Sequence, residues 1–340
     1  MGEGTDERGS PSAREYGVNW GAVFGAAAII PLLNASIRLA VPTGLAAVGE
    51  SLCQRAGVLN LSLEGMMLSG AYAAFLATHY SSQPWLGVAA GIGGGMFIGV
   101  LMALFSVTLK TEQVINGIAL VLLASGLTSF LHVRLFGVTA PERFDPMAKL
   151  EIPLLGSIPG VGSVVFDQSP LVYLAVVLIV GVWWVLKYTR FGLAVRASGD
   201  RPGAADAAGI SVDRVRAAAI LASGAMAGLG GAVLVVGQLG LFAQNVTAGR
   251  GWVAIALVIF GRWSPLRVAA GAFLFGFTDA LQLRIQSASG GIESDIPFEF
   301  FQALPYLVTI VVVVVATARA RDDAQPESLG VPYIKGARSS

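Results

Sequence analysis

The chain has 340 residues, of which 55% are hydrophobic and 13% are charged, and its formal net charge is +1. This composition is typical of a polytopic membrane protein, and the near-neutral charge gives no basis for nucleic-acid binding. The single cysteine, Cys53, excludes an internal disulfide, and we expect neither a metal site nor a cofactor.

The first 18 residues are polar and predict a cytoplasmic tail. They lack the basic-then-apolar order of a secretory signal peptide, so the first hydrophobic helix is expected to stay in the mature protein. Residues 19–318 are expected to form one transmembrane domain, and residues 319–340 are expected to form a second cytoplasmic tail.

Apolar stretches of about 20 residues, the length that crosses a bilayer, recur along the chain. They predict spans near 19–41, 61–80, 85–108, 114–136, 170–187, 213–238, 266–286 and 302–318. Two shorter segments, 43–57 and 251–262, predict half-length or broken helices. Counting both as crossings, we expect an all-α polytopic membrane protein with about ten transmembrane or partial helices. The short segments fall at comparable places in the two halves, which favours an inverted repeat with broken helices.

Glu64 is the one carboxylate in the apolar stretch 57–76. An ionisable group in a bilayer costs roughly 2.5–3.5 kcal/mol on insertion scales, so this side chain is expected to face the bundle interior. Asn60 lies four residues earlier, on the same helical face, and is predicted to cap a helix that starts at Leu61. The polar stripe makes both residues candidates for function.

Two features follow Glu64 along the chain. Gly91, Gly95 and Gly99 recur every four residues and predict a close helix-packing face. The proline-rich stretch 137–169 predicts an ordered external cap of turns, with room for a short hairpin.

Basic residues support an arrangement with both termini in the cytoplasm. Sixteen of the 22 lysines and arginines fall on the inner side of the ten-crossing arrangement, as the positive-inside rule requires. The other six are Arg38, Arg134, Arg143, Lys149, Arg250 and Arg284. A count of eight crossings keeps the same end orientation but reverses intermediate loops.

The predicted cytoplasmic loop 188–212 carries the most specific motif. Six basic residues cluster at or near it: Lys187, Arg190, Arg196, Arg201, Arg214 and Arg216. Pro202 is placed to begin a short helix and Gly209 to end it, so residues 198–210 predict about two helical turns with an alanine face. A solvated turn with a positive-inside cluster is the alternative interpretation.

This motif, Arg-Ala-x-Gly-x-x-Pro-x-Ala-Ala-x-x-Ala-Gly-Ile, resembles the coupling loop of permease subunits in ABC importers for simple sugars, nucleosides and branched-chain amino acids. Residues 43–76, with Gly49-Glu50, the run Gln54–Asn60 and Glu64-Gly65-Met66-Met67, resemble the nucleoside and simple-sugar branch. Gly251–Pro265 and Pro305-Tyr306-Leu307 resemble the same family, and the likeness covers roughly residues 35–318. The chain departs from the family pattern at Arg201, where asparagine is common, and at Asp206, where a basic residue is frequent.

The resemblance implies a permease subunit of an ABC importer in the plasma (cell inner) membrane, forming half of the pathway for a small polar solute, and it favours nucleosides. It implies three partners: an ATP-binding cassette ATPase, a second and different permease that completes a heterodimer, and an extracytoplasmic solute-binding protein. The residues expected to couple to the ATPase are Ser198, Gly199, Asp200, Arg201, Pro202, Ala204, Ala205, Asp206, Ala208 and Gly209. Ala204, Ala205 and Ala208 are expected to supply its close-contact surface.

Polar residues within the spans are candidates for lining the translocation pathway, because they hydrogen-bond without requiring a charged ligand. The candidates are Glu50, Asn60, Glu64, Gln238, Gln244, Asn245 and Gln282. Ordinary interhelical hydrogen bonds are the alternative role. For Glu50, Glu64 and Asp279, ion pairs with Arg55, Arg38 or Arg284 are a further alternative.

Other functions remain in competition. A permease for ribose-like sugars fits the same residues, and an ion-coupled secondary transporter also uses broken helices and buried carboxylates. An intramembrane enzyme is disfavoured, since no His-Glu-x-x-His motif or Gly-x-Ser-x-Gly elbow occurs. No Gly-x-x-x-x-Gly-Lys-[Ser/Thr] phosphate loop occurs either, so we expect a separate subunit to hydrolyse ATP.

Overall fold

The computed structural model describes residues 25–137, 142–151, 161–288 and 325–335, together with residues 303, 306–308, 310 and 311. Most of these residues are helical, and six of the described helices are long and apolar enough to cross a membrane. The predicted class, an all-α polytopic membrane protein, is confirmed. The predicted last span, 302–318, and the N-terminal tail lie largely outside the described residues.

The described helices, in chain order, are α1 (Ala26–Arg55), α2 (Leu63–Ser81), α3 (Pro84–Ala103), α4 (Gln113–Phe136), α5 (Val161–Val165), α6 (Pro170–Tyr188), α7 (Arg190–Asp200), α8 (Pro202–Ala207), α9 (Val212–Ala232), α10 (Arg250–Phe260) and α11 (Pro265–Ala288). Two π-helical segments, Leu104–Thr108 and Val233–Leu239, continue α3 and α9. The strands β1 (Leu150–Glu151) and β2 (Asp167–Gln168) pair antiparallel, so the cap contains a short two-stranded pairing, with α5 between the two strands in sequence.

The first two predicted segments, 19–41 and 43–57, are wrong as separate crossings. Within the described residues they form the single 30-residue helix α1, which is about 45 Å long at 1.5 Å per residue. Pro31 and Pro42 lie inside α1 without ending it, since membrane helices tolerate proline where neighbouring helices surround it. Ala26 therefore lies at the opposite end of the bundle from Arg55.

The glycine face on α3 is confirmed, and it packs against α9. A Cβ atom on Gly95 would collide with the carbonyl oxygen of Gly224, and one on Gly91 would lie 2.7 Å from the Cβ of Ala232. Helix α9 and its π-helical extension form the centre of the bundle, since 83% of the residues in their most apolar stretch are buried. Close backbone approach replaces the hydrophobic driving force that lipid cannot supply.

The bundle has two distinct ends. At the loop face, defined by residues 188–212, the turn at 56–58 and the tail 325–335, the carbonyl of Gly57 accepts a hydrogen bond from Gly330 (3.2 Å). At the cap face, defined by residues 142–151 and 161–169, Phe144 donates to the carbonyl of Gly240 (2.8 Å). The π-helical segment Val233–Leu239 thus ends against the cap.

Two irregular segments, 56–62 and 240–249, enter the bundle from these opposite ends. The first joins α1 to α2, and the second leads into the 11-residue helix α10. Thr247 of the second segment donates a hydrogen bond to Glu64, which lies in the first turn of α2, just after the first segment ends. The short helix predicted at 251–262 is confirmed, while the break in the first half lies at 56–62. The inverted repeat stays a prediction.

Candidate functional site

Glu50 is the centre of a buried hydrogen-bond network near the loop face. Its carboxylate is fully buried and accepts from Gln54 Nε2 (3.0 Å), Asn60 Nδ2 (3.1 Å) and Ser223 Oγ (3.0 Å). The backbone N–H of Asn60 adds a fourth donor at 3.3 Å. These donors come from α1, the irregular segment 56–62 and α9, so the carboxylate joins three parts of the bundle. A buried carboxylate needs such donors because it has lost its hydration.

The network extends beyond Glu50 to the turn between α10 and α11. Trp263 Nε1 donates to Gln54 Oε1 (2.8 Å), and Arg55 Nε donates to the carbonyl of Trp263 (3.3 Å). Both Gln54 and Trp263 are buried. The end of α10 is therefore held against the end of α1.

Asn60 is buried, but its capping role differs from the prediction. Helix α2 begins at Leu63 rather than at Leu61, with Ser62 as its N-cap residue. Asn60 Oδ1 accepts from Ser62 N (3.1 Å) and from Ser62 Oγ (2.6 Å), so it organises the turn before the helix. The irregular segment ends two residues later than the pattern indicated because Asn60 is committed to Glu50 and Ser62.

Glu64 faces the interior, as predicted, and holds the start of α10. Its Oε1 accepts from Thr247 Oγ1 (2.5 Å) and Gly249 N (3.0 Å), and its Oε2 accepts from Gly251 N (2.6 Å). The first backbone N–H groups of a helix have no partner within the helix and carry partial positive charge. A carboxylate at this position satisfies them and offsets its own burial.

The close approach of α2 and the start of α10 explains why residue 251, in the family-like segment 251–265, is a glycine. A Cβ atom on Gly251 would overlap the backbone of Glu64. Next to it, Arg250 forms an ion pair with Asp279 of α11 at 3.2 Å, and both side chains are largely shielded from solvent. The sequence hypothesis that paired Glu50, Glu64 and Asp279 with Arg55, Arg38 or Arg284 is thus corrected: the two glutamates are held by the neutral donors above, and Asp279 pairs with Arg250.

Gln244 and Asn245 lie on the exposed side of the irregular segment 240–249. Gln244 lines a shallow hollow of about 360 Å³ with residues from the cap end of α4, namely Ser129, Phe130, Val133 and Arg134. Asn245 and Ala248 have positive φ values of 56° and 47°, so this backbone is irregular as well as exposed.

The remaining pathway candidates lie elsewhere. Gln238 is half-buried in the π-helical segment, and its Nε2 donates to the carbonyl of Arg38 (2.6 Å). Gln282 is buried on α11. The structure therefore does not bring the seven candidates into one site: Glu50 and Asn60 share a network, Glu64 forms another, and Gln244 and Asn245 share an exposed surface.

The loop 188–212 contains two helices where one was predicted. Helix α7 starts at Arg190, with Thr189 Oγ1 accepting from Gly192 N (3.1 Å), and α8 follows from Pro202 to Ala207. Pro202 begins α8 as predicted, and Gly209 follows its end with a φ of 85°, where a left-handed residue is favoured. The predicted pair of boundary residues is confirmed.

The orientation of α8 differs from the prediction at one alanine. Ala205 is buried within the chain, so it is corrected from the exposed contact surface to an inner packing position. Ala204 and Ala208 are exposed, and Ala207 joins them on the outer face. Asp200 and Arg201 are exposed, while Ser198 and Gly199 are buried. Asp206 pairs with Lys335 (3.4 Å).

Several residues in these networks were missed by sequence reasoning. Ser223, Thr247 and Trp263 each donate to the buried polar groups described above. Arg216 was noted only as part of the basic cluster, yet it is buried. Arg216 lies seven residues before Ser223 on α9, so the two share one face of the helix. This spacing is the sequence feature that could have indicated that both are buried.

Comparison with known proteins gives a consistent picture. A family described as branched-chain amino acid transport system, permease component, matches residues 32–314. The chain is 38% identical to the putative glucose ABC transporter permease protein TsgC13 of Haloferax volcanii, over 85% of this chain and 92% of that protein. It is 33% identical to the guanosine ABC transporter permease protein NupQ of Bacillus subtilis, over 90% and 97% of the two chains.

A third relative is the nucleoside ABC transporter permease protein NupC of Lactococcus lactis, 33% identical over 86% of this chain and 93% of its own. Bacillus subtilis also has a second guanosine permease, NupP, which is 26% identical over 91% of this chain and 86% of its own. One organism thus holds two unlike guanosine permeases that both match.

Proposed function

Because the chain belongs to the family of permease components of branched-chain amino acid transport systems, we propose that it is one of two membrane subunits of an ABC importer for nucleosides. The observation that carries this proposal is the short helix α8 on the loop face, bounded by Pro202 and Gly209 and exposing an alanine surface. Such a surface suits docking into a cleft of a separate ATPase, which supplies the energy of transport.

The exposed irregular segment 240–249 supports a translocation pathway that runs beside it. Irregular backbone at membrane depth is tolerated where it is buried in protein or lines a water-filled cavity, and not where it meets lipid. The polar side chains of Gln244 and Asn245 therefore face a second permease or the aqueous path between the two subunits. In this arrangement Glu50, Asn60 and Glu64 are positioning residues that hold the pathway-lining segments in place.

The partners follow from this arrangement. A second, different permease completes the pathway, and the two unlike guanosine permeases of Bacillus subtilis support a heterodimer. An extracytoplasmic binding protein delivers the solute to the cap face, and the ATPase binds the loop face. The loop face, with the C-terminal segment 325–335 on it, is proposed to lie in the cytoplasm, and the start of α1 at the cap face is proposed to lie on the external side. This departs from the expectation of a cytoplasmic N-terminus, which counted 19–41 and 43–57 as two crossings.

A simple sugar is the second candidate solute. The similarity to a putative glucose permease favours it, at higher identity than the two nucleoside-type relatives. Neutral amide side chains such as those of Gln244 and Asn245 hydrogen-bond to sugar hydroxyls and to nucleobase edges alike. An ion-coupled transporter is disfavoured because it needs no docking helix on the loop face.

The test is reconstitution of the complete transporter, purified through a tag on this chain, into proteoliposomes. ATP is enclosed in the vesicles in one sample and left out in another. Binding protein is added with radiolabelled guanosine or glucose. We expect ATP-dependent accumulation of guanosine, competed by other nucleosides and not by glucose. Accumulation of glucose and not guanosine would show that the solute is a sugar rather than a nucleoside. Uptake driven by an ion gradient without ATP would contradict the ABC mechanism.

A further inference from the structure

The C-terminal segment 325–335, here called the strap, is bound to the loop face by backbone hydrogen bonds. Ser328 N and Ser328 Oγ both donate to the carbonyl of Gly199, at 2.9 and 2.6 Å. Gly330 N donates to the carbonyl of Gly57. The strap therefore joins the end of α7 to the turn after α1, although it is far from both in sequence.

Arg216 anchors the strap from below. This guanidinium is only 2% exposed and donates to the carbonyl of Ala56 (3.1 Å), the carbonyl of Val331 (2.8 Å) and Ser328 Oγ (3.0 Å). Two of these three acceptors belong to the strap. Since a buried charge is costly unless its donors are satisfied, removing the strap would leave Arg216 poorly paired, and this links the strap firmly to α9.

The strap lies beside both ends of α8. Lys335 pairs with Asp206 at 3.4 Å, and Glu327 lies 3.9 Å from Arg201. Three of the four side chains are largely exposed, and such pairs stabilise a fold by only about 0–1 kcal/mol each. Their value here is positional, because they place the strap and the helix side by side. Lys110 Nζ fixes the far end by donating to the carbonyl of Tyr333 (2.7 Å).

The outer side of the strap carries two branched aliphatic side chains. Val331 and Ile334 are 56% and 57% exposed, and they lie on the strap between Glu327 and Lys335, the two residues that pair with α8. Exposed apolar side chains on a segment held beside a docking helix favour a surface that a protein partner covers. The backbone of Val331 is held by hydrogen bonds from its N–H to the carbonyl of Ser328 and from Arg216 to its carbonyl.

We propose that the strap and α8 form one composite docking surface for the ATPase, with Val331 and Ile334 covered by it in the assembled transporter. This inference rests on the proposed function, since the ATPase is the partner it names. It assigns to the C-terminal segment a contact that the loop motif alone does not include.

The test uses single cysteines at Ile334 and Ala204, each in a Cys53→Ala background, in permeases purified in nanodiscs. The rate of labelling by a water-soluble maleimide is measured with the ATPase bound and after its removal by a urea wash. A third cysteine at Tyr80, which is exposed at the other end of the bundle, is the control position. We expect labelling at Ile334 and Ala204 to fall by about tenfold or more when the ATPase is bound, as for side chains in an interface core, and labelling at Tyr80 to be unchanged.

The outcomes separate the two proposals. Protection at Ala204 with unchanged labelling at Ile334 would overturn the composite surface and leave the proposed function standing. Equal labelling at both positions with and without the ATPase would overturn the proposed function itself. If Ile334 is unreactive even without the ATPase while Ala204 reacts, the bilayer covers the strap and the composite surface is wrong.

Discussion

At the scale of single residues, Glu64 shows how neutral donors can hold a carboxylate inside a membrane protein. Its three hydrogen bonds come from a hydroxyl and two backbone N–H groups at the start of α10. Hydrogen bonds to a charged group contribute about 1.5–3 kcal/mol each, more than neutral ones, so three of them offset a large part of the desolvation cost.

Replacing Glu64 tests this role. Glu64→Leu leaves the donors at Thr247, Gly249 and Gly251 without an acceptor, and we expect it to lower stability by roughly 3–5 kcal/mol, in the range for breaking a buried charged interaction. Glu64→Gln keeps one acceptor oxygen and is expected to be milder. The measurement is the thermal midpoint and monodisperse yield of the purified permease, followed by solute uptake.

Glu142→Leu is the matched control, because Glu142 is exposed in the cap loop. It is expected to leave both yield and thermal midpoint near the wild-type values. If Glu64→Leu behaves like this control, the carboxylate does not hold the start of α10.

At the scale of helices, the contact between α3 and α9 depends on the absence of side chains. Gly95 abuts the backbone of Gly224 and Gly228, whereas Gly93, two residues earlier on the same helix, has open space around its Cβ position. The two glycines therefore separate close packing from simple glycine content.

Gly95→Leu is expected to lower the folded yield sharply, because the new side chain forces α3 and α9 apart. Overpacking typically costs 1–3 kcal/mol and costs more where backbone rather than a side chain must move. Gly93→Leu, with the same change in size and hydrophobicity, is expected to leave the yield close to wild type. The measurement is fluorescence-detected size-exclusion chromatography, and equal losses in both variants would count against a packed face.

Helix α8 is the second element whose role depends on its exposed face. Ala204→Trp places a bulky side chain on that face, and we expect it to abolish solute-stimulated ATP hydrolysis while the permease still inserts normally. Asp206→Ala removes the ion pair with Lys335 without adding bulk, and it is expected to be milder. The assay is ATP hydrolysis by the reconstituted complex with and without solute-loaded binding protein.

The buried Ala205 supplies the comparison for this experiment. Ala205→Trp is expected to reduce folded yield, since its position is inside the chain, whereas Ala204→Trp is expected to affect coupling alone. Full stimulation in the Ala204→Trp complex would show that α8 is not the coupling element.

At the scale of the whole molecule, the ends of the bundle determine which partner each face meets. The loop face, which includes the strap, lies at one end of the bundle. The cap face and the start of α1 lie at the other end. The loop face is proposed to be cytoplasmic because the basic cluster around 187–216 lies there.

Cysteine labelling in intact cells tests this orientation. In a Cys53→Ala background, a membrane-impermeant reagent is expected to label Ala148→Cys in the cap and to miss Ala207→Cys on α8, both of which are exposed positions. Permeabilised cells washed with urea to remove the ATPase provide the control, since both variants should then react. The reverse pattern in intact cells would invert the orientation.

The sequence by itself determined the features that depend on neighbouring residues. Apolar length predicted most of the spans, and the pair Pro202 and Gly209 predicted the ends of the docking helix, because both residues act on backbone conformation locally. The cost of a charge in lipid was enough to predict that Glu64 faces the interior.

Only the tertiary structure decided which distant groups meet. The partners of Glu64 lie 183 to 187 residues away, and the anchors of Arg216 on the strap lie 112 and 115 residues away. Whether Pro42 divides a helix, and whether Ala204 or Ala205 faces outward, depends on how neighbouring segments pack around each position. Local pattern cannot supply this, because hydrogen-bond partners and exposed faces are properties of the packed bundle rather than of the sequence around one residue.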